Sequence, residues 1–464
     1  MWKLNKTMKK LLLLIMITCV SLTNAQTISG NFSQLQNQKI SLSAFDGFDA
    51  HIIDSVKTDD AGNFKIKFDL KNEGMGYLSS ASGKNFFVIS AKENINLQGK
   101  TIAQSESIQI TEGNQNKAFN TYAKEQPKRV KVLNAWKFLK KTYKQDSLFN
   151  EFDQPQQDIQ KEIDRLQQEE KRFLAKLPND SYVKWFLPIR KLVSSVSVVA
   201  QYRPEEIPAT RKALREINYA DDRLHKSGLL KEAIDNHVWF IENSSGSLDQ
   251  VYQDLNKSID VMIDQLKEDE VKFNLVTEYL FQLLEERSLF TSAEYLAETL
   301  LENDHCGCLN PNIQKQLEKY RKMAEGQTAP DITFTDYTYY PDGVKAKKLS
   351  ELKADYYLVI FAAGWCPHCK KAIPQIAEFY PEMKAKDIEV VMVSLDENAK
   401  DFAEFSAPLP FISTTDFKKW DGQAVQDYQI YATPTYYILD NNLNIHKKLK
   451  SVSHLQAWIK NLQK

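Results

Sequence analysis

The apolar run from Tyr356 to Phe361 gives way to the small residues Ala362-Ala363-Gly364, and then to Trp365-Cys366-Pro367-His368-Cys369. A short unbroken run of this kind, rich in aromatic and β-branched residues, reads as a strand buried on both faces. Proline directly after the first cysteine suits the first turn of a helix, where its missing amide hydrogen would have had no partner. The pattern predicts a strand that ends, and a helix over Pro367 to Met383 that begins, at a pair of cysteines. A thiol at a helix start faces unsatisfied amides and the positive end of the helix dipole, and both lower its pKa. A dithiol that shuttles electrons needs one sulfur that a substrate can reach and a second that attacks the resulting mixed disulfide. Cys366 takes the first role and Cys369 the second. His368, between them, can stabilise the thiolate through its ring or through the amides it orients, which favours the reduced form and makes the couple more oxidising; an inert surface histidine is the alternative. Zinc sites share the Cys-x-x-Cys spacing, but zinc takes four ligands, and no second pair with histidines lies close by, so a redox pair is the preferred reading and no metal is expected.

Around this motif the texture is that of an α/β layer. Glu389 to Ser394 reads as another buried strand, Tyr436 to Leu439 as a further one, and Thr333-Phe334 with Tyr337 to Tyr340 as a hairpin. This region starts where Gly326 and Pro330 interrupt a long helical stretch. Between residues 113 and 325 apolar side chains recur at three- and four-residue spacing, as in Ile159, Ile163, Leu166 and in Val276, Leu280, Leu283, Leu284. That is the spacing of amphipathic helices, whose charge runs are solvated faces. Residues 26–112 alternate instead, with Ile28, Gly30, Phe32, then Ile40, Leu42, then Phe64, Ile66, Phe68, then Phe86 to Ile89, then Ile95, Leu97, separated by turns such as Asp60-Ala61-Gly62-Asn63. Such alternation predicts an antiparallel β-sandwich. The expected order is therefore a β-sandwich at 26–112, an all-α domain at 113–325 and an α/β domain at 326–464, and a length of 464 residues allows about three domains.

The N-terminus has Lys9 and Lys10, an apolar run from Leu11 to Val20, and then Thr23-Asn24-Ala25. This is the three-part form of a secretory signal over residues 1–25, with cleavage expected before Gln26. The run is too short for a membrane span, which needs about twenty residues, and Thr18 before Cys19 is larger than lipoprotein processing favours. Removal of the signal leaves four of the five cysteines, in a compartment that permits thiol oxidation. They form two close pairs, Cys366/Cys369 and Cys306/Cys308, which close almost no chain and so make poor staples. Cys306-Gly307-Cys308 is placed on a polar turn between helices, where it reads as a secondary redox pair; the plainer alternatives are a local disulfide, idle thiols, or, with His305, soft metal ligands. A net charge of −1 provides no field to attract nucleic acid or an anionic membrane.

The segments Gly326-Gln327-Thr328-Ala329-Pro330-Asp331, Leu349-Ser350-Glu351-Leu352, Phe361 to Lys371, Val393-Ser394-Leu395-Asp396 and Ala432-Thr433-Pro434-Thr435 occur in the order found in TlpA/ResA-like periplasmic thioredoxins. The region from Gly326 to Lys464 resembles that family. The resemblance implies a thioredoxin-like fold with a four- to five-stranded sheet flanked by helices. It implies thiol–disulfide oxidoreductase activity with Cys366 attacking and Cys369 resolving between Trp365, Pro367 and His368. It also implies a cis Thr433–Pro434 bond beside the cysteines, in a loop offering backbone groups to an extended substrate. Periplasmic protein clients, a redox-regenerating partner and no cofactor follow from the same resemblance. The chain departs from the pattern twice. Thioredoxin has a buried acid six residues before its first cysteine, where this chain has Ile360, and ResA-like proteins often carry a glutamate three residues after the second, where this chain has Ala372. The Cys-Pro-His-Cys sequence itself resembles the oxidase DsbA, and the N-terminal regions resemble domains that precede TlpA-like modules. Two other functions remain open on the sequence: a peroxiredoxin-related peroxidase, which wants a hydroxyl donor where Ala363 stands, and an envelope binding protein that uses the thioredoxin unit as a scaffold.

Overall fold

The computed structural model describes residues 26–69, 72–302, 309–341, 343 and 345–462. The expected signal segment, His305, Cys306 and Cys308 lie outside them. The chain forms two compact units: one holds the β-rich N-terminal region, the first helices and Asp221–Ala233, and the other holds Ser197–Ala220, the remaining helices and the C-terminal α/β sheet.

In the first unit, β1 (Gln26–Phe32), β4 (Asn63–Phe68), β7 (Ile95–Gly99) and β8 (Gln109–Glu112) form one sheet in the order β4-β1-β7-β8. β2 (Lys39–Asp46), β3 (Asp49–Lys57), β5 (Gly74–Ser79) and β6 (Asn85–Ser90) form the other, in the order β3-β2-β5-β6. Alternation does what the sequence promised in β4, where Phe64, Ile66 and Phe68 are buried while Asn63, Lys65 and Lys67 face out. The sandwich is not wholly antiparallel, because β1 and β7 run parallel, with Ile28 opposite Ile95. Between β1 and β7 the chain builds the second sheet and adds β4 antiparallel to one edge of β1, then returns along the other edge in the direction of β1. Strands β3, β5 and β8 were not expected. β3 is an edge strand exposed along most of its length, so it carries no apolar alternation. β5 contains Gly76, where a Cβ would lie 2.5 Å from the Ser43 carbonyl oxygen, so glycine is needed for close approach to β2. Helices α1 (Asn114–Gln145), α2 (Asp153–Ala175) and α3 (Tyr182–Tyr202) follow. α2 buries Ile159, Ile163 and Leu166, the stripe read from the sequence.

Further helices are α4 (Ile207–Arg215), α5 (Asp222–His225), α6 (Leu230–Ser244), α7 (Leu248–Leu266), α8 (Glu270–Glu286), α9 (Phe290–Glu302) and α10 (Pro311–Arg321). The C-terminal sheet comprises β9 (Thr338–Tyr339), β10 (Tyr356–Ala362), β11 (Ile388–Ser394), β12 (Ile412–Thr414), β13 (Thr435–Asp440) and β14 (Ile445–Leu449), ordered β14-β13-β10-β11-β12-β9. It has six strands rather than four or five. The hairpin expected at 333–340 does not form: Thr338 and Tyr339 pair with β12, and Thr333 bridges to Lys348. Helices α11 (Pro367–Ala385), α12 (Ala399–Ser406), α13 (Gln423–Asp427) and α14 (Val452–Asn461) complete the layer. β10 alternates between two environments. Tyr356 packs edge-on against Trp458 of α14, which itself packs on α11, whereas Phe361 meets Tyr428 and Tyr437.

On the Tyr437 side, within the second unit, β14 supplies a buried cation to the helices. The Lys448 ammonium lies 2.7 Å from a Glu294 carboxylate oxygen, and its side chain is 2% exposed. The same ammonium sits 4.4 Å from the centre of the Tyr320 ring, whose hydroxyl donates to Glu285. Burial raises the Glu285 carboxyl to about 7, against the pull of Lys448 and the Tyr320 hydrogen bond, and burial raises Glu294 as well.

Candidate active site

β10 delivers the chain into the site, and α11 begins there. Cys366 is the N-cap residue of α11, with φ −83° and ψ 118°, and Pro367 opens the first turn. The Cys369 amide donates to Cys366 Sγ at 3.3 Å, and the Cys366 thiol donates to the Thr433 carbonyl at 3.3 Å. Both cysteines are free thiols. Cys366 is 4% exposed and Cys369 is fully buried. Burial works to raise the Cys366 pKa, but hydrogen bonding from Cys369, Thr433 and the Cys369 and His368 amides outweighs it, so the thiol falls below its ordinary value. Cys369 moves the opposite way: burial, then its hydrogen bond with Cys366, pushes it up to about 12. The helix start therefore separates two chemically identical side chains into a thiol lowered toward ionisation and a thiol held protonated.

The residues that the sequence singled out here come together at one end of the sheet. Pro367 and His368 are exposed, and it is the His368 amide that bears on the Cys366 sulfur. Trp365 is 44% exposed; its indole donates to the Leu395 carbonyl at 3.3 Å, and its ring meets Trp420 edge-on and lies under the Lys419 ammonium. The Thr433–Pro434 peptide is cis. Cys306 and Cys308 fall outside the described residues, so no geometry bears on them. Asp396 is a site residue to which sequence reasoning gave no role. Its fully buried carboxylate accepts from the Gly364 amide at 2.9 and 3.2 Å and from the Ser394 hydroxyl at 2.7 Å, which fixes the turn ahead of Cys366. Its signals were an acid at the end of the apolar run of β11 and its place in the Val393-Ser394-Leu395-Asp396 segment of the resemblance. Burial raises its pKa. Ile360, at the position of the missing acid, is fully buried. No group of three or more His, Cys, Asp or Glu side chains is arranged to hold a metal among the described residues.

The thiol asymmetry is measurable. Iodoacetamide alkylation of Cys366 should rise with a midpoint below pH 9, while Cys369 should stay unmodified until about pH 12. Mass spectrometry of the two peptides across pH checks this, and a common midpoint for both cysteines would refute it.

Residues 354–445 match a family model described as thioredoxin-like. The thiol–disulfide oxidoreductase ResA of Bacillus thuringiensis subsp. konkukian is 26% identical over 164 residues, 34% of this chain and 90% of that protein. Tryparedoxin of Trypanosoma brucei brucei is 38% identical over 66 residues, 14% of this chain and 46% of that protein. Among solved structures, a thioredoxin-like protein from Bacteroides caccae covers 55% of this chain and 94% of its own, at 18% identity and a TM-score of 0.39. The thioredoxin domain of a thiol–disulfide oxidoreductase from Bacteroides vulgatus covers 29% and 98%, at 22% identity and a TM-score of 0.26. The C-terminal domain is thioredoxin-like. Over about a third of its length the chain is similar to the thiol–disulfide oxidoreductase ResA.

Proposed function

We propose that this protein exchanges disulfides with protein clients through Cys366 and Cys369, in an oxidising compartment reached by way of its N-terminal signal sequence. The observation that carries the reading is the split between a thiol lowered at a helix N-cap and a buried neighbour raised to about 12. In the reducing direction the Cys366 thiolate attacks a client disulfide, one client sulfur leaves as a thiolate, and a mixed disulfide forms. Cys369 then gives up its proton and attacks Cys366 Sγ; the client sulfur leaves and takes up a proton. The client has gained two electrons, and the enzyme holds a Cys366–Cys369 disulfide that a redox partner must reduce. Oxidation of a client runs the same steps backwards. The Thr433 carbonyl beside Cys366 Sγ supports a client strand lying along this loop. No helix among the described residues is long and apolar enough to cross a membrane.

Equilibration with glutathione buffers tests the reading. Hydrogen bonds that stabilise the Cys366 thiolate stabilise the reduced state and raise the potential; a value near thioredoxin's of about −270 mV would assign the reducing direction, and one far above it oxidation or isomerisation. Failure of Cys366 and Cys369 to form a disulfide at any glutathione ratio would overturn the proposal.

A further inference from the structure

Resolution of the mixed disulfide requires the Cys369 proton to leave a fully buried thiol, and both positions where related proteins keep an acid for this task are apolar here, Ile360 and Ala372. The strand register supplies another group. Tyr436 of β13 is the direct antiparallel partner of Ile360. Directly opposed residues project to the same face with Cβ atoms about 5 Å apart. That face of β10 is the one on which Tyr356 meets Trp458 of α14, which packs on α11, so Tyr436, on the neighbouring strand, lies on the α11 side of the sheet. Its side chain is 2% exposed. The titratable groups that act on the phenol are Cys369 first and Cys366 second; with burial as the leading cause, they keep it protonated and therefore a donor.

We propose that the Tyr436 hydroxyl is the hydrogen-bond donor that receives the Cys369 sulfur as it ionises, replacing from β13 the acid that β10 lacks. The inference rests on the exchange reaction proposed above. In the step concerned, Cys369 loses its proton, its sulfur bonds to Cys366 Sγ, the Cys366–client bond breaks, and the departing client thiolate takes up one proton. Tyr436 keeps its own proton throughout and stabilises the charge while it resides on Cys369.

The test is release of 5-thio-2-nitrobenzoate from a preformed mixed disulfide on Cys366 in the full chain, followed across pH for the unmutated protein and for Tyr436→Phe. The substitution removes one oxygen and keeps the ring, so the layer stays filled. Release should slow about ten- to a hundredfold, the effect of losing one hydrogen bond to an ionised group. Its pH midpoint should rise by about one to two units, while alkylation of Cys366 remains unchanged. Release within twofold of the unmutated protein at every pH would overturn the role of Tyr436 and leave the exchange reaction standing. Absence of release from the unmutated protein would overturn the exchange reading itself.

Discussion

Cys369→Ser protein is expected to accumulate mixed disulfides with its clients, whereas Cys366→Ser protein should accumulate none. The first substitution leaves the lowered thiol at the N-cap of α11, still hydrogen-bonded by the amide at position 369, so attack on a client disulfide proceeds. What is lost is the second sulfur, and serine cannot replace it in disulfide exchange. Cys366→Ser leaves at this site only a fully buried thiol, which burial still holds above its ordinary value and which is out of a client's reach. A buried, protonated thiol is a poor nucleophile, so the contrast between the two variants at this site should be large. Non-reducing electrophoresis with detection of the trapped adducts reads the result, and trapping by Cys366→Ser alone would reverse the two roles.

Substitution of Lys448 should produce the largest loss of stability. Removing one partner of a buried ion pair costs about 3–5 kcal/mol, because the carboxylate left behind stays buried without its counter-charge. For a domain of this size the midpoint should fall by on the order of 10 °C. Lys448→Met retains most of the aliphatic stem while removing the ammonium that sits over Tyr320, and so isolates the charge. The pH dependence carries its own sign. Glu285 is raised from 4.5 to about 7, so its contribution to stability is complete below 4.5, where both states are protonated, and is lost as pH rises through 7, where ionisation favours the unfolded chain. Glu294 shifts in the same direction. The Lys448→Met penalty should therefore be largest above pH 7 and shrink toward pH 4.5, as neutral carboxyls cease to need a cation. Calorimetric midpoints across that range provide the measurement; a pH-independent loss would assign the effect to packing instead.

Much of the site was legible because it depends on near neighbours in the chain. An apolar run ending in small residues, a proline after the first cysteine and a second cysteine one helical turn on were enough to place β10, the start of α11 and the two sulfurs. Alternation in β4 and the stripe of Ile159, Ile163 and Leu166 were legible for the same reason: each period is written within a few residues. β3 and β14 were not. One is an exposed edge, and the other, Ile-His-Lys-Lys-Leu, reads as polar although Lys448 is buried in it. Sequence by itself thus determined the local periods, the helix start and the pair of cysteines set at that start. Tertiary structure alone decided that β1 lies parallel to β7, that Tyr436 stands across from Ile360, that Asp396 holds the Gly364 amide, and that Lys448 answers Glu294 and Glu285. These depend on which distant segments become neighbours, and the burial of a charge or the register of a strand has no energy until that neighbour is in place.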